Sequence, residues 1–148
     1  MKGAALKILV VEDEALNQAV ADRLLRLLGY PPDFASHGGE AVTMAKLSAY
    51  DVIFMDLQMP VLDGFAATHA IREWEQSLPP TCGRSKIVAF TGSTSPDDRR
   101  RCTEVGMDGF IGKPTSPERL REVLDLVRSS RSVAWQNRDD RPLKLIRH

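Results

Sequence analysis

The chain has 148 residues, 43% hydrophobic and 27% charged, with Lys+Arg and Asp+Glu equal at 20 each. That length accommodates one domain with a real core rather than two ordinary ones, and the mix is that of a globular protein rather than a disordered one. A net charge of zero argues against a general nucleic-acid or membrane-surface role, both of which carry a basic excess.

No apolar run approaches the ~20 residues that span a bilayer, and nothing resembles a signal peptide. Cys82 and Cys102 form no CxxC pair and the histidines do not cluster, which fits free thiols in a reducing compartment, by default the cytoplasm.

In chain order, Leu6-Lys7-Ile8-Leu9-Val10-Val11 reads as a strand. Leu16, Val20, Leu24 and Leu27 follow at helical spacing and predict one apolar face of a helix closed by Gly29, with Leu25, Leu27 and Leu28 in core packing. Asp33 to Ser36 is a weak strand, Gly39 to Leu47 a short helix, and Val52-Ile53-Phe54-Met55 a buried strand that ends on Asp56. A helix over Phe65 to Glu75 is broken by Ser77 to Arg84, which holds Pro79-Pro80. Ile87 to Phe90 is a fourth strand. Ser95-Pro96-Asp97-Asp98 has the form of an N-cap, a proline at the first helical position and two first-turn acids, and that helix stops at Gly106. Gly109-Phe110-Ile111 is a brief fifth strand, and Ser116-Pro117-Glu118 caps a last helix carrying Leu120, Val123, Leu124 and Val127 on one face.

Strands alternating with helices imply an α/β fold: a doubly wound, five-stranded parallel sheet with helices on both faces. The domain is expected to cover residues 1–129. Residues 130–148 are polar without a sustained period and read as a tail or linker, despite Leu143, Leu145 and Ile146.

In such a sheet ligands bind beyond the carboxyl ends of the strands. After strand one stand Glu12-Asp13-Glu14, after strand three Asp56, after strand four Thr91-Gly92-Ser93, and after strand five Lys113-Pro114. Neighbouring strands lie ~4.8 Å apart, so these side chains can converge. Taken singly, each has an ordinary explanation: a helix N-terminus, a loop acid, a loop Lys-Pro pair. Their joint placement on one edge does not. Several carboxylates without histidine suit a hard divalent cation, Mg²⁺ before Zn²⁺. A carboxylate beside such a cation, a lysine and a hydroxyl is equipped to attack phosphorus. Other polar residues keep plain readings: His37, His69 and His148 solvated, Arg99-Arg100-Arg101 the wet face of a helix, Trp74 packed against the third helix.

The stretches "ILVVEDEALNQAVADRLLRLLGY", "DVIFMDLQMPVLDG", "AFTGS" and "DGFIGKP", in this order, resemble a response-regulator receiver domain over about Leu6 to Arg128. The resemblance implies a flavodoxin-like (βα)5 fold with strand order 2-1-3-4-5. It implies Asp56 as phosphoacceptor, Asp13 as direct Mg²⁺ ligand with Glu12 assisting and the Gln58 carbonyl completing the metal set. Lys113 becomes the phosphate-binding lysine, Thr91 the switch hydroxyl and Phe110 the switch aromatic, rotating into space that Thr91 vacates. It also points to a cis Lys113-Pro114 bond, the turn that proline makes affordable.

"MDLQMPVLDG" and Asn17 are most similar to receivers of hybrid sensor histidine kinases. These take phosphate from a kinase histidine, catalyse their own aspartyl phosphorylation and often pass the group to a histidine-phosphotransfer protein. Gly92 stands where alanine is common, and His37 departs from a usual "NG". The alternative is a haloacid-dehalogenase-like Mg²⁺-dependent phosphatase, which needs a second Asp two residues after the nucleophile, where this chain has Gln58. A receiver-like protein that only binds partners is disfavoured because every chemical position is filled. The tail is too short for a helix-turn-helix unit, so no direct nucleic-acid partner is expected.

Overall fold

Residues 6–59, 61–92 and 95–132 are described by the computed structural model. Pro60, Ser93, Trp135, His148 and the remaining tail positions lie outside them.

The strands are β1 (Ile8–Val11), β2 (Asp33–Ala35), β3 (Val52–Met55), β4 (Lys86–Thr91) and β5 (Gly109–Gly112). Between and after them run α1 (Ala15–Leu27), α2 (Gly38–Leu47), α3 (Gly64–Gln76), α4 (Pro96–Val105) and α5 (Pro117–Ser132), the last continuing past the expected boundary at Ser129. All strand pairs are parallel, in the order β2-β1-β3-β4-β5.

Strand geometry sends successive side chains to opposite faces. Ile8, Val10, Val52, Phe54, Val88 and Phe90 therefore pack with Ala21 and Leu25 of α1 and with Leu120, Val123, Leu124 and Val127 of α5. Phe54 and Phe90 meet edge to face, 6.0 Å between centroids. Leu9, Val11, Ile53, Met55, Ile87 and Ala89 point the other way, onto Ala41 and Ala45 of α2, Phe65, Ala67 and Ile71 of α3, and Cys102 of α4. Both faces are covered, which is why β3 and β4 read as continuous apolar runs.

The expected apolar face of α1 is corrected by the structure. Leu16, Val20 and Leu27 are 74, 51 and 69% exposed, whereas Ala21 and Leu25 are buried and Leu24 and Leu28 half-buried. The helix carries two apolar stripes. The sheet takes the one where small Ala21 permits close approach, and the stripe that includes Arg23 faces out.

Three caps read from the sequence are made. Asp98 N–H donates to Ser95 Oγ, Arg119 N–H to Ser116 Oγ, and Gly106 ends α4 in the left-handed region at φ 99°. His37, read as solvated, is exposed but caps α2, accepting from Glu40 N–H at 3.1 Å. The Glu40 carboxylate in turn accepts from Ser36 N–H at 2.7 Å, a reciprocal capping arrangement.

Candidate functional site

The strand ladders run one step past β1 and β3 and so fix the residues that follow them. Glu12 N–H donates to the Ala35 carbonyl at 3.0 Å and Asp56 N–H to the Val11 carbonyl at 3.1 Å. Lys113 N–H likewise donates to the Thr91 carbonyl at 2.8 Å. The Lys113-Pro114 bond is cis, as expected. Two close approaches seat the loop after β3: a Cβ at Gly64 would collide with the Asp56 carbonyl, and one at Gly38 with the Leu62 carbonyl. Between them Val61 takes φ 70° and projects fully into solvent.

Carboxylate oxygens of Glu12, Asp13 and Asp56 come within 4.8 Å of one another. Glu12 and Asp56 are buried and Asp13 is exposed, so the cluster opens to solvent on one side. Lys113 Nζ sits 2.5 Å from Glu12 Oε1 and 3.8 Å from Asp56 Oδ2. The lysine thus rests on Glu12 while staying within one short movement of Asp56. Gln58 N–H donates to Asp56 Oδ1 at 3.1 Å. Burial pushes the Asp56 carboxyl up to about 6; the Gln58 N–H and the Lys113 charge oppose this, and Glu12 adds to it.

Thr91 and Phe110 are both buried. Phe110 pairs across the sheet with Ala89 and lies under the Arg99 guanidinium, 5.2 Å from the ring centroid. The aromatic is therefore inside the fold in this structure, beneath the helix that follows β4. Arg99-Arg100-Arg101 is correspondingly more than a wet face. Arg101 stacks over Phe65 at 3.9 Å, and Arg100 makes a plain surface pair with Asp97 at 2.7 Å.

Two constellations escaped the sequence reading. Asn17 Nδ2 donates to Glu12 Oε2 and Glu14 Oε1, at 3.3 and 2.9 Å. At the opposite end of the sheet, buried Arg72 binds the Gly106 carbonyl, the Ser85 carbonyl, Glu75 and Asp108 at 2.7–2.9 Å. An arginine within the apolar period of α3 is the one signal that could have marked it.

The chain matches the response regulator receiver domain family over residues 8–125 and belongs to it. It is 46% identical over 114 residues to "Hybrid signal transduction histidine kinase B" of Dictyostelium discoideum, covering 73% of this chain and 6% of that protein. The chain spans a similarly small part of other curated relatives, 10% and 15% of two further histidine kinases. Among solved structures it is similar to the receiver domain of sensor histidine kinase PA1611 from Pseudomonas aeruginosa PAO1, which has magnesium coordinated in its active-site cleft. That likeness has a TM-score of 0.72 and 38% identity, over 82% of this chain and 96% of that one. It is also similar to the receiver domain of the response regulator Ssk1, crystallised with the histidine phosphotransfer protein Ypd1 of Saccharomyces cerevisiae. There the TM-score is 0.78 and the identity 30%, over 87% of this chain and 92% of that one. The haloacid-dehalogenase alternative finds no support. No helix among the described residues is long and apolar enough to cross a membrane.

Proposed function

We propose that this chain is the phosphoacceptor of a cytoplasmic phosphorelay. A sensor kinase phosphohistidine would deliver the phosphoryl group to Asp56, and a histidine-phosphotransfer protein would exchange with the same residue. The carrying observation is the placement of Asp56: at the end of β3, within 4.8 Å of two further carboxylates and 3.8 Å from a lysine. In the reaction an Asp56 carboxylate oxygen attacks phosphorus, an O–P bond forms, and the P–N bond to the donor imidazole breaks with its electron pair left on nitrogen. Lys113 leaves Glu12 for the phosphoryl oxygens, and Thr91 donates a hydrogen bond to another.

The acidic set fits Mg²⁺, since it offers oxygen ligands alone and a clustered negative charge that one lysine cannot offset. Asp13, Asp56 and the Gln58 carbonyl would hold the ion with Glu12 in support; when bound it supplies charge neutralisation for the incoming phosphoryl group. The magnesium in the PA1611 receiver supports this assignment. Leu16 and Val20, apolar and exposed on α1 directly after the acidic loop, offer an apolar contact for such a partner.

Acetyl phosphate with Mg²⁺ tests the reading. One hydroxylamine-labile phosphate per chain is expected, and none on Asp56→Asn, which keeps the shape and removes the nucleophile. Equal labelling of the variant would refute the assignment.

A further inference from the structure

We propose that Asn17 is a positioning residue for Glu12, holding one oxygen of that carboxylate while Lys113 takes the other, so that the acidic pocket is set for a divalent cation. The inference rests on the receiver reading above. It starts from how completely Glu12 is held. Its backbone N–H is bonded to Ala35, and its carbonyl accepts from Gln18 Nε2 at 2.6 Å. Oε1 takes Lys113 at 2.5 Å, and Oε2 takes Asn17 Nδ2 at 3.3 Å with Glu14 N–H at 3.4 Å.

Both hydrogens of the Asn17 amide are needed, because the same Nδ2 also reaches Glu14 Oε1 at 2.9 Å. The residue is thus a neutral double donor set between two carboxylates that would otherwise repel each other. Without a donor on its second oxygen, the buried carboxylate would be free to turn further toward the lysine, with which it makes a charge-assisted pair. Asn17, with the Glu14 N–H beside it, keeps one oxygen off Lys113. The lysine then has a single oxygen to release when it moves toward Asp56. Groups that orient metal-binding carboxylates from outside the ligand set commonly change metal affinity 10–100-fold when removed.

The test uses Mg²⁺ alone, titrated into the full chain and read from the amide shifts of Asp13, Asp56 and Gln58, with urea unfolding measured in parallel. Asn17→Leu, similar in size and without donors, should weaken Mg²⁺ binding about 10-fold while leaving the urea midpoint close to the parent's. Asn17→Gln retains both donors on a longer stem and should recover part of the loss. Asn17→Asp adds a charge and removes the donors. Tighter Mg²⁺ binding by Asn17→Asp would show that bare charge governs the site, and would overturn the proposal. Parent-like affinity in Asn17→Leu would also overturn it, as would a loss in that variant with no recovery in a folded Asn17→Gln. A parent chain whose three reporter amides ignore Mg²⁺ would instead overturn the receiver-site reading beneath it, a separate and recognisable result.

Discussion

Asp56 carries a cost in the unphosphorylated protein. Its carboxyl is raised from 3.8 to about 6, chiefly by burial. Between those values the folded protein keeps a proton that the unfolded chain has released. The contribution of Asp56 to stability therefore falls as pH rises from about 4 to about 6 and is level above that. Asp56→Asn should be more stable than the parent at pH 7 by about 1–3 kcal/mol without Mg²⁺. Urea midpoints measured against pH should show that difference closing below about pH 4; a constant gap would contradict the burial argument. Val61 is a second local cost, a β-branched residue at φ 70° with its side chain in solvent. Val61→Gly loses no packing and relieves a strain of about 1–3 kcal/mol, offset in part by the flexibility of an unfolded glycine. A gain of roughly 1 kcal/mol is expected from urea unfolding, and a loss would show that the valine makes a stabilising contact.

The helices differ in what holds them. α1 is seated by Ala21 and Leu25 and leaves an apolar stripe outward, so its address on the sheet is set by small contacts. α3 is locked at its far end by Arg72, whose guanidinium ties α3, the start of β4, the cap of α4 and the entry to β5. The same Asp108 oxygen also accepts from Ile87 N–H, at 2.9 Å, so the bracket ties a backbone N–H of β4 to a side chain in the loop before β5. Removing the arginine would leave Glu75 and Asp108 poorly solvated and without their main cation. Arg72→Met should cost about 3–5 kcal/mol in urea unfolding, and Arg72→Lys should recover little, because one ammonium cannot reproduce a planar fork. A loss below about 1 kcal/mol, the range of surface pairs, would show the bracket to be dispensable.

The proposed phosphorylation would act at one end of the sheet, and Arg72 fixes the other. A phosphoryl group on Asp56 adds charge and acceptor oxygens at a fixed point. Thr91 reaches them only if the loop after β4 moves inward, and Phe110, already buried beneath Arg99, is the side chain this movement would press on. The response should therefore fall on the surface of α4, β5 and α5, by differential stabilisation of the inward loop. Thr91→Ala should still label at Asp56 with acetyl phosphate. Its amide shifts from 91 to 110 on adding beryllofluoride, a phosphoryl mimic, should be much smaller than the parent's. Equal shifts would break the proposed coupling.

Much of this was legible in one dimension. A parallel sheet buries both faces of its strands, so β1, β3 and β4 announce themselves as short apolar runs, and residues just past each run must share one edge. That rule places Glu12, Asp13, Asp56, Thr91 and Lys113 together before any coordinates exist. The choice of face on α1 was not legible. Two apolar stripes satisfy the same helical period, and which one is buried depends on how closely a neighbouring sheet and α5 can approach. Nor was the partner of Lys113 legible. Glu12 and Asp56 are both in reach, and the lysine's rest on Glu12 follows from angles at the strand ends that sequence spacing does not contain. The Arg72 bracket joins residues far apart in the chain, and no local pattern states that Ser85, Gly106 and Asp108 will converge on it. Local patterns encode which residues are buried and where strands end, because those follow from near neighbours. Pairings across the fold follow from closure of the sheet and exist only once it has formed.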